Sequence, residues 1–260
     1  MNIVYNKGRD VNFMEEIISK QTKKIEICEV DFANHYKIYH MFTTFAELAT
    51  ENGSKVGLWN DGMKGKYGWV IAKQTLILNE PIRVDDVVEF STIIDNGSSA
   101  IFPRYYFIKK DGKEVANCSA VWTLLDLEKR RIVIPRREGL TVPVVNHDIK
   151  LDAPKNIVYD FELNHMMTRQ VLYSDVDLNR HMNNARYIEW ALDLVDLDIH
   201  KDHFINEVTI HYKKEILPLA YVELFMGYNE NHYVVEGRNK EGEVHFLIEI
   251  HFEKEKNPTK

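Results

Sequence analysis

Hydrophobic and polar positions along the chain form two similar blocks. In the first block, Phe42, Phe45, Ala46 and Ala49 recur at helical spacing over about 40–52, which predicts an amphipathic helix. Runs rich in β-branched and aromatic residues surround this helix and predict strands at 23–32, 69–78, 86–94, 101–109 and 114–126.

The second block repeats this order. A strand-like run over 156–169 precedes a helix predicted to begin after Asn183, in which Tyr187, Ile188 and Ala191 follow helical spacing. Because the order of strand, helix and strand meander occurs twice, the pattern predicts a structural repeat. The remaining strands of this block are predicted at 206–216, 221–228, 232–239 and 243–253.

Turn residues divide the chain into two domains. Tight turns with a central glycine at 110–113 and 240–243 join the last two strands of each block. Prolines interrupt any strand pattern between about 130 and 154, which predicts a linker there. The expected domains are therefore an N-terminal one over 1–138 and a C-terminal one over 150–260.

Composition and charge narrow the classes of function. The chain of 260 residues is long enough for two hydrophobic cores, and its formal net charge of -7 argues against a general nucleic-acid binder. The two cysteines, Cys28 and Cys118, are too few for a disulfide framework. Since the sequence also contains no signal peptide pattern and no apolar run long enough for a membrane span, we expect a cytoplasmic protein.

One stretch combines a carboxylate, an amide and an imidazole immediately before a predicted helix. Asp177, Asn179 and His181 alternate with other residues, so an extended backbone would point all three to one side. Asn183 or Asn184 could then cap the helix. A loop that ends at a helix N-terminus suits a substrate carbonyl that develops negative charge.

This stretch resembles the signature D-x-N-x-H-x-N-N-x-x-Y-x-x-W of the fatty acyl-ACP thioesterases, which include plant plastid enzymes and bacterial relatives. The resemblance extends to the Gly-Trp-Val run at 68–70 and so covers nearly the whole chain. It implies an α+β tandem double hotdog, in which each half wraps a long antiparallel sheet around one central helix. The chain shows no plastid transit peptide, so the bacterial form is expected. Every fixed position of the signature is filled, by Asp177, Asn179, His181, Asn183, Asn184, Tyr187 and Trp190.

The resemblance also implies a fourth site residue, Glu215. The family has a glutamate after a tyrosine and two basic residues, and this chain has that pattern at 212–215. Plant members often have a cysteine next, whereas this chain has Ile216, which excludes a cysteine nucleophile there and favours acid–base chemistry. Without the resemblance, Glu215 would be assigned to a solvated strand face with Thr209 and His211.

By resemblance, the four residues have roles in thioester hydrolysis. Asp177 and Glu215 would orient or deprotonate the nucleophile, and either carboxylate could be the base. The residues leave open whether water attacks the thioester or Asp177 attacks it directly. Asn179 would hold the water or the carbonyl oxygen, and His181 would donate toward the oxyanion or relay a proton. Because a thiol with a pKa of about 8.5 leaves readily, no metal or nucleotide cofactor is expected.

The first half is expected to be non-catalytic and to hold the acyl chain. His35 and His40 lie where the second half has its polar stretch, but the Asp-x-Asn-x-His pattern is absent there. Trp69 and the apolar residues around Met63 are therefore either ordinary core or substrate-binding walls of a pocket, since the family houses the acyl chain in this half.

A basic run at 128–131, together with Arg136 and Arg137, is either a solvated linker or a docking site for acyl carrier protein, an acidic partner. The expected activity is hydrolysis of fatty acyl-ACP thioesters to free fatty acid and ACP, which ends chain elongation. An acyl-CoA thioesterase and a non-catalytic acyl-thioester-binding hotdog protein are the alternatives. Neither a nucleic-acid partner nor a membrane span is expected, and a homodimer is left open.

Overall fold

The first half of the chain wraps one long helix in an antiparallel sheet. The structure is a computed structural model that describes residues 17–59, 61–145 and 147–255. Helix α1 (Ile38–Lys55) extends beyond the predicted 40–52 at both ends and buries Met41, Phe45 and Leu48. The strands of this half are β1 (Ser19–Lys24), β2 (Tyr67–Leu78), β3 (Val87–Ile94), β4 (Phe102–Lys110), β5 (Lys113–Asp126) and β6 (Arg131–Val133).

The second half repeats this arrangement with shorter helices. Helix α2 (Arg186–Leu192) has seven residues, and α3 (Leu197–Asp202) follows it after a short turn. The strand predicted over 156–169 is shorter in the structure, where it begins only at Asn164. The strands of this half are β7 (Asn164–Gln170), β8 (His203–Tyr212), β9 (Tyr221–Asn229), β10 (His232–Arg238) and β11 (Val244–Lys254).

The two halves share one continuous sheet with an internal pseudo-twofold order. Its strands run β1-β3-β4-β5-β2-β8-β11-β10-β9-β7, and β6 extends the sheet beside β5. Reading inward from either edge gives corresponding strands in the same order. At the centre β2 and β8 pair antiparallel, and the hydroxyls of Thr75 and Thr209 lie 2.9 Å apart. The predicted structural repeat is therefore present, and its two copies are related by a pseudo-twofold axis at the central strand pair.

Helices α1 and α2 lie against the same side of the sheet and contribute to one core. Phe45 and Leu48 from α1 belong to the same buried cluster as Ile188 and Trp190 from α2. The chain between the halves crosses the central strand pair, where the Lys155 N–H donates to Thr75 Oγ1 at 3.0 Å. The α+β double hotdog expected from the sequence is confirmed, with the two sheets fused into one. Among the described residues, no helix combines the length and apolar character of a membrane span.

Candidate active site

Residues 177–181 form a tight turn. The Asp177 N–H donates to the His181 carbonyl oxygen, and the Arg180 N–H donates to the Asp177 carbonyl oxygen, both at 3.0 Å. The Asp177 carboxylate accepts a hydrogen bond from the Asn179 N–H at 2.8 Å, and Arg180 has a left-handed φ of 63°. The stretch is therefore not extended, because the aspartate side chain stabilises a turn instead.

The turn is anchored to helix α2 by Asp175, which is 4% exposed. Its carboxylate accepts hydrogen bonds from the Leu172 N–H at 2.9 Å and from the Trp190 indole N–H at 3.1 Å. Its carbonyl oxygen accepts from the Asn183 N–H at 2.8 Å, and the Asn183 side chain accepts from the Ala185 N–H at 2.9 Å. Trp190 and Asn183, the first asparagine of the Asn-Asn pair in the signature, thus fix the turn relative to the start of the helix.

Glu215 lies in the segment after β8 and contacts the turn. The Met182 N–H donates to the Ile216 carbonyl oxygen at 2.9 Å, which holds the two segments together. One Glu215 carboxylate oxygen is 3.3 Å from His181 Nε2, and the other pairs with the guanidinium of Arg130. The His181 and Glu215 side chains are 30% and 35% exposed, so water can reach the pair.

The electrostatics favour a neutral His181. Burial lowers the pKa of its imidazole, the charge of Arg130 lowers it further, and the Asp177 carboxylate partly opposes both. A neutral imidazole can accept or relay a proton near neutral pH. Arg130 belongs to the turn between β5 and β6, so the first half contributes a charged group to this site.

A cavity of about 260 Å³ lies in the first half, and Asn179 of the second half also lines it. Trp69 forms part of its wall, its indole N–H donating to the Leu58 carbonyl oxygen at 3.1 Å and its ring packing edge-on against Phe102 at 4.8 Å. Arg104, which is 4% exposed, lines the same cavity. The remaining lining residues are Ala49, Thr50, Gly53, Ser54, Trp59, Gly68, Ile94 and Trp122.

Met63 lies behind this cavity. It is fully buried in a small cluster with Tyr67 and Leu124, and Trp59 and Trp69 pack against that cluster. Met63 therefore supports the two tryptophans of the wall, and a direct contact between Met63 and an acyl chain stays a prediction.

The sequence placed Arg130 in a docking run, whereas the structure places it beside Glu215. No local pattern marked this role, because the two residues belong to different halves and lie far apart along the chain. Arg131 is 3.9 Å from Glu138 across the following turn. Arg136 and Arg137 are exposed.

The first half contains the same turn at 31–35. The Asp31 N–H donates to the His35 carbonyl oxygen at 2.9 Å, and the Asn34 N–H donates to the Asp31 carbonyl oxygen at 3.0 Å. The Asp31 carboxylate accepts from the Ala33 N–H at 2.9 Å, and Asn34 has a φ of 62°. Ala33 therefore occupies the position of Asn179, while the aspartate and the histidine are retained.

A second difference concerns the acidic partner of the histidine. The Tyr36 N–H donates to the Ile82 carbonyl oxygen at 2.7 Å, which corresponds to the bond that holds the segment of Glu215. Pro81 therefore occupies the position of Glu215.

His35 nevertheless has a carboxylate partner, Glu255, which follows β11. The guanidinium of Arg83 is 2.6 Å from the other oxygen of Glu255. The His35 and Glu255 side chains are only 12% and 5% exposed. A histidine, a glutamate and an arginine thus meet at both turns, but the first-half histidine and glutamate are much less exposed than His181 and Glu215.

One group of side chains in the described residues has metal-ligand geometry. The ligand atoms of His232, Glu249 and His251 lie within 4.8 Å of one another on strands β10 and β11. This group shares no residue with the turn at 177–181 or with the cavity that Asn179 lines.

Comparison with known proteins agrees with the geometry. Residues 17–138 match the family model "Acyl-ACP thioesterase N-terminal domain", and residues 159–256 match "Acyl-ACP thioesterase C-terminal domain". An acyl-[acyl-carrier-protein] hydrolase of Cuphea viscosissima is 24% identical over 222 residues, 78% of this chain and 53% of the plant protein. A palmitoyl-acyl carrier protein thioesterase of Arabidopsis thaliana is 22% identical over 76% of this chain and 52% of its own length. The chain thus spans about half the length of these curated relatives.

Solved structures share the fold over nearly the whole chain. An acyl-ACP thioesterase from Bacteroides thetaiotaomicron superposes with a TM-score of 0.82 at 22% identity, covering 92% of this chain and 99% of that one. The 12:0-ACP thioesterase from Umbellularia californica gives a TM-score of 0.75 at 18% identity, covering 92% and 98%. Together with the two matching family domains, this shows that the chain belongs to the acyl-ACP thioesterase family.

Proposed function

We propose that this protein hydrolyses fatty acyl thioesters carried by acyl carrier protein and releases free fatty acid. The observation that carries the proposal is the position of Asn179, which belongs to the polar turn of the second half and lines the cavity of the first half. An acyl chain in that cavity would leave its thioester beside Asn179 and near the contact between His181 and Glu215. A cavity lined mainly by apolar side chains, with a few polar groups such as Asn179, suits such a substrate.

In the proposed reaction, the His181–Glu215 pair takes a proton from water as the water oxygen attacks the thioester carbonyl carbon. The Asn179 amide orients the carbonyl oxygen as it becomes an oxyanion. The intermediate then collapses, the carbon–sulfur bond breaks, and the pantetheine thiolate leaves with little need of an acid. Arg130 holds the Glu215 carboxylate toward the turn.

Asp177 is assigned a supporting part in this scheme. One of its carboxylate oxygens accepts the Asn179 N–H, which holds the turn closed. Its charge raises the pKa of His181 against the effects of burial and Arg130. The base is therefore assigned to the pair that includes Glu215, and Asp177 is the alternative.

Oxygen-18 labelling tests whether water or a carboxylate attacks the thioester. Water attack puts the solvent oxygen only in the fatty acid. Attack by Asp177 or Glu215 would form a mixed anhydride, whose hydrolysis at the protein carbonyl would leave label in that side chain. A single turnover with excess enzyme in labelled water, followed by mass analysis of the two peptides, distinguishes the routes, and we expect both peptides to be unlabelled.

The experiment that tests the function itself measures free fatty acid released from a panel of acyl-ACPs of increasing chain length. The same acyl groups on coenzyme A test the alternative carrier. Glu215→Gln should lower turnover by at least about two orders of magnitude. Glu207→Gln is the matched control, since Glu207 lies on β8 and pairs with Lys155 at 2.6 Å.

Three outcomes would contradict the proposal. Release of no fatty acid from any acyl-ACP would exclude the activity. Higher catalytic efficiency with acyl-CoA across the panel would assign the protein to the other carrier. Equal turnover of Glu215→Gln and Glu207→Gln would remove Glu215 from the site.

A further inference from the structure

The described residues contain a second and larger cavity, of about 530 Å³, between the two halves. The turn at 31–35 contributes Asp31 and His35 to its wall, and α2 of the second half contributes Glu189 and Leu192. In the first cavity the roles of the two halves are exchanged. There Asn179 comes from the turn of the second half, and the helix residues come from α1 of the first half. Each cavity thus combines the turn of one half with a helix of the other, although β3, β4 and β5 line the first cavity and their counterparts β9, β10 and β11 do not line the second.

Part of the wall of the second cavity suits an acyl chain. Apolar side chains from both halves line it, including Leu78, Ile82, Val195 and Phe204. At the turn, the polar groups of Asp31 and His35 face it, as Asn179 faces the first cavity. The other lining residues are polar or charged, among them Lys37, Arg169 and Glu189, so only part of the wall suits the apolar chain of such a ligand.

The same turn lacks what hydrolysis requires. Ala33 supplies no side-chain donor where the second half has Asn179, so a bound carbonyl would lose its orienting group. The carboxylate of Glu255 is only 5% exposed and already contacts His35 and Arg83, so a water molecule has far less access to it than to Glu215, which is 35% exposed.

We propose that the second cavity binds the acyl chain of an acyl-pantetheine thioester without hydrolysing it. The ligand class rests on the proposed function, because it is inferred from the substrate of the first cavity. One chain would then hold two acyl groups, of which only the one beside Asn179 is cleaved.

The test uses an amide analogue of dodecanoyl-pantetheine, in which nitrogen replaces the thioester sulfur so that binding is separated from cleavage. Isothermal titration calorimetry of the full-length protein should give two analogues per chain. Leu197→Trp should reduce this number to one, since Leu197 lines the second cavity and is 65% exposed, so the larger ring is tolerated by the fold.

Two further variants calibrate the titration. Ser54→Trp fills the first cavity and should also leave one analogue per chain, with loss of dodecanoyl-ACP hydrolysis. Val158→Trp adds the same ring at a position that is 78% exposed and lines neither cavity, and it should keep two.

A single analogue per wild-type chain, or an unchanged number in Leu197→Trp, would overturn the second site. Wild-type hydrolysis of dodecanoyl-ACP is measured separately. Its absence would contradict the proposed function, whereas the number of bound analogues decides the second site.

Discussion

The turns at 31–35 and 177–181 have the same backbone hydrogen bonds and different surroundings. Each begins with an aspartate whose carboxylate accepts a backbone N–H two residues later, and each ends with a histidine that meets a glutamate and an arginine. The second-half glutamate, Glu215, is 35% exposed, whereas the first-half glutamate, Glu255, is 5% exposed. Similar groups therefore form an open pair in one half and a closed ion-pair cluster in the other.

This difference separates a stabilising role from a chemical one. A carboxylate between a histidine and an arginine away from solvent stabilises the fold only while all partners remain, since removing one leaves a buried charge unpaired. A carboxylate in reach of water can exchange protons with a substrate. The amide of Asn179, which the first half replaces by Ala33, is the group that we propose contacts the carbonyl.

The largest effect is expected from His181→Ala, which should lower kcat by roughly three orders of magnitude because it removes the proton relay beside Glu215. Steady-state hydrolysis of dodecanoyl-ACP measures it, with circular dichroism to verify folding. His165→Ala is the control, since His165 is an exposed histidine on β7 outside both turns. Near wild-type kcat in folded His181→Ala would remove the histidine from the mechanism.

Asn179→Ala gives the second turn the side chain that the first turn has. We expect a loss of about two orders of magnitude in kcat, as when one oxyanion donor is removed. The reverse change, Ala33→Asn, should not restore turnover to a His181→Ala protein, because Glu255 stays buried. Restored turnover would show that one side chain alone separates the two turns.

Arg130→Met tests the contribution of the first half to the active site. The substitution removes the ion pair that positions the Glu215 carboxylate, which should lower kcat roughly tenfold. Arg130 lowers the pKa of His181, so its removal should raise that pKa, and the imidazole would protonate at higher pH. The acidic limb of the pH profile of kcat/KM should therefore move to higher pH. An acidic limb at the wild-type position would contradict the assignment of that limb to His181.

The smallest effect is expected from reversing Arg136 and Arg137 to glutamate. Both side chains are exposed, so they can attract an acidic carrier protein. The KM for acyl-ACP should rise roughly threefold to tenfold, with little change for a small thioester. Wild-type KM should also rise with salt. A double variant with unchanged KM would place the docking surface elsewhere.

The sequence predicted the fold because periodicity and turn residues are local properties. Helix α1, the paired meanders and their glycine turns all follow from patterns within short windows. The sequence could not predict that β2 and β8 join the halves into one sheet, because Thr75 and Thr209 meet only through tertiary pairing.

The same limit applies to the candidate site. The signature located Asp177, Asn179 and His181 but not their turn, since an aspartate side chain in a turn competes with the extended form. Arg130 was assigned to docking because its partner Glu215 lies in the other half. The sequence did not reveal that 31–35 and 177–181 form the same turn. The shared hydrogen bonds involve backbone groups and the aspartate carboxylate, whereas Ala33 breaks the Asp-x-Asn-x-His pattern.

The central claim is that equivalent turns contribute chemistry in one half and stability in the other, and a comparison of Glu215→Gln with Glu255→Gln tests it most directly. Both hydrolysis of dodecanoyl-ACP and the free energy of unfolding in urea should be measured on each variant. Glu215→Gln should lose turnover while its stability changes by at most about 1 kcal/mol. Glu255→Gln should keep kcat and lose roughly 3 kcal/mol of stability. Wild-type turnover in Glu215→Gln would contradict the account. So would a Glu255→Gln variant that folds with wild-type stability but is inactive.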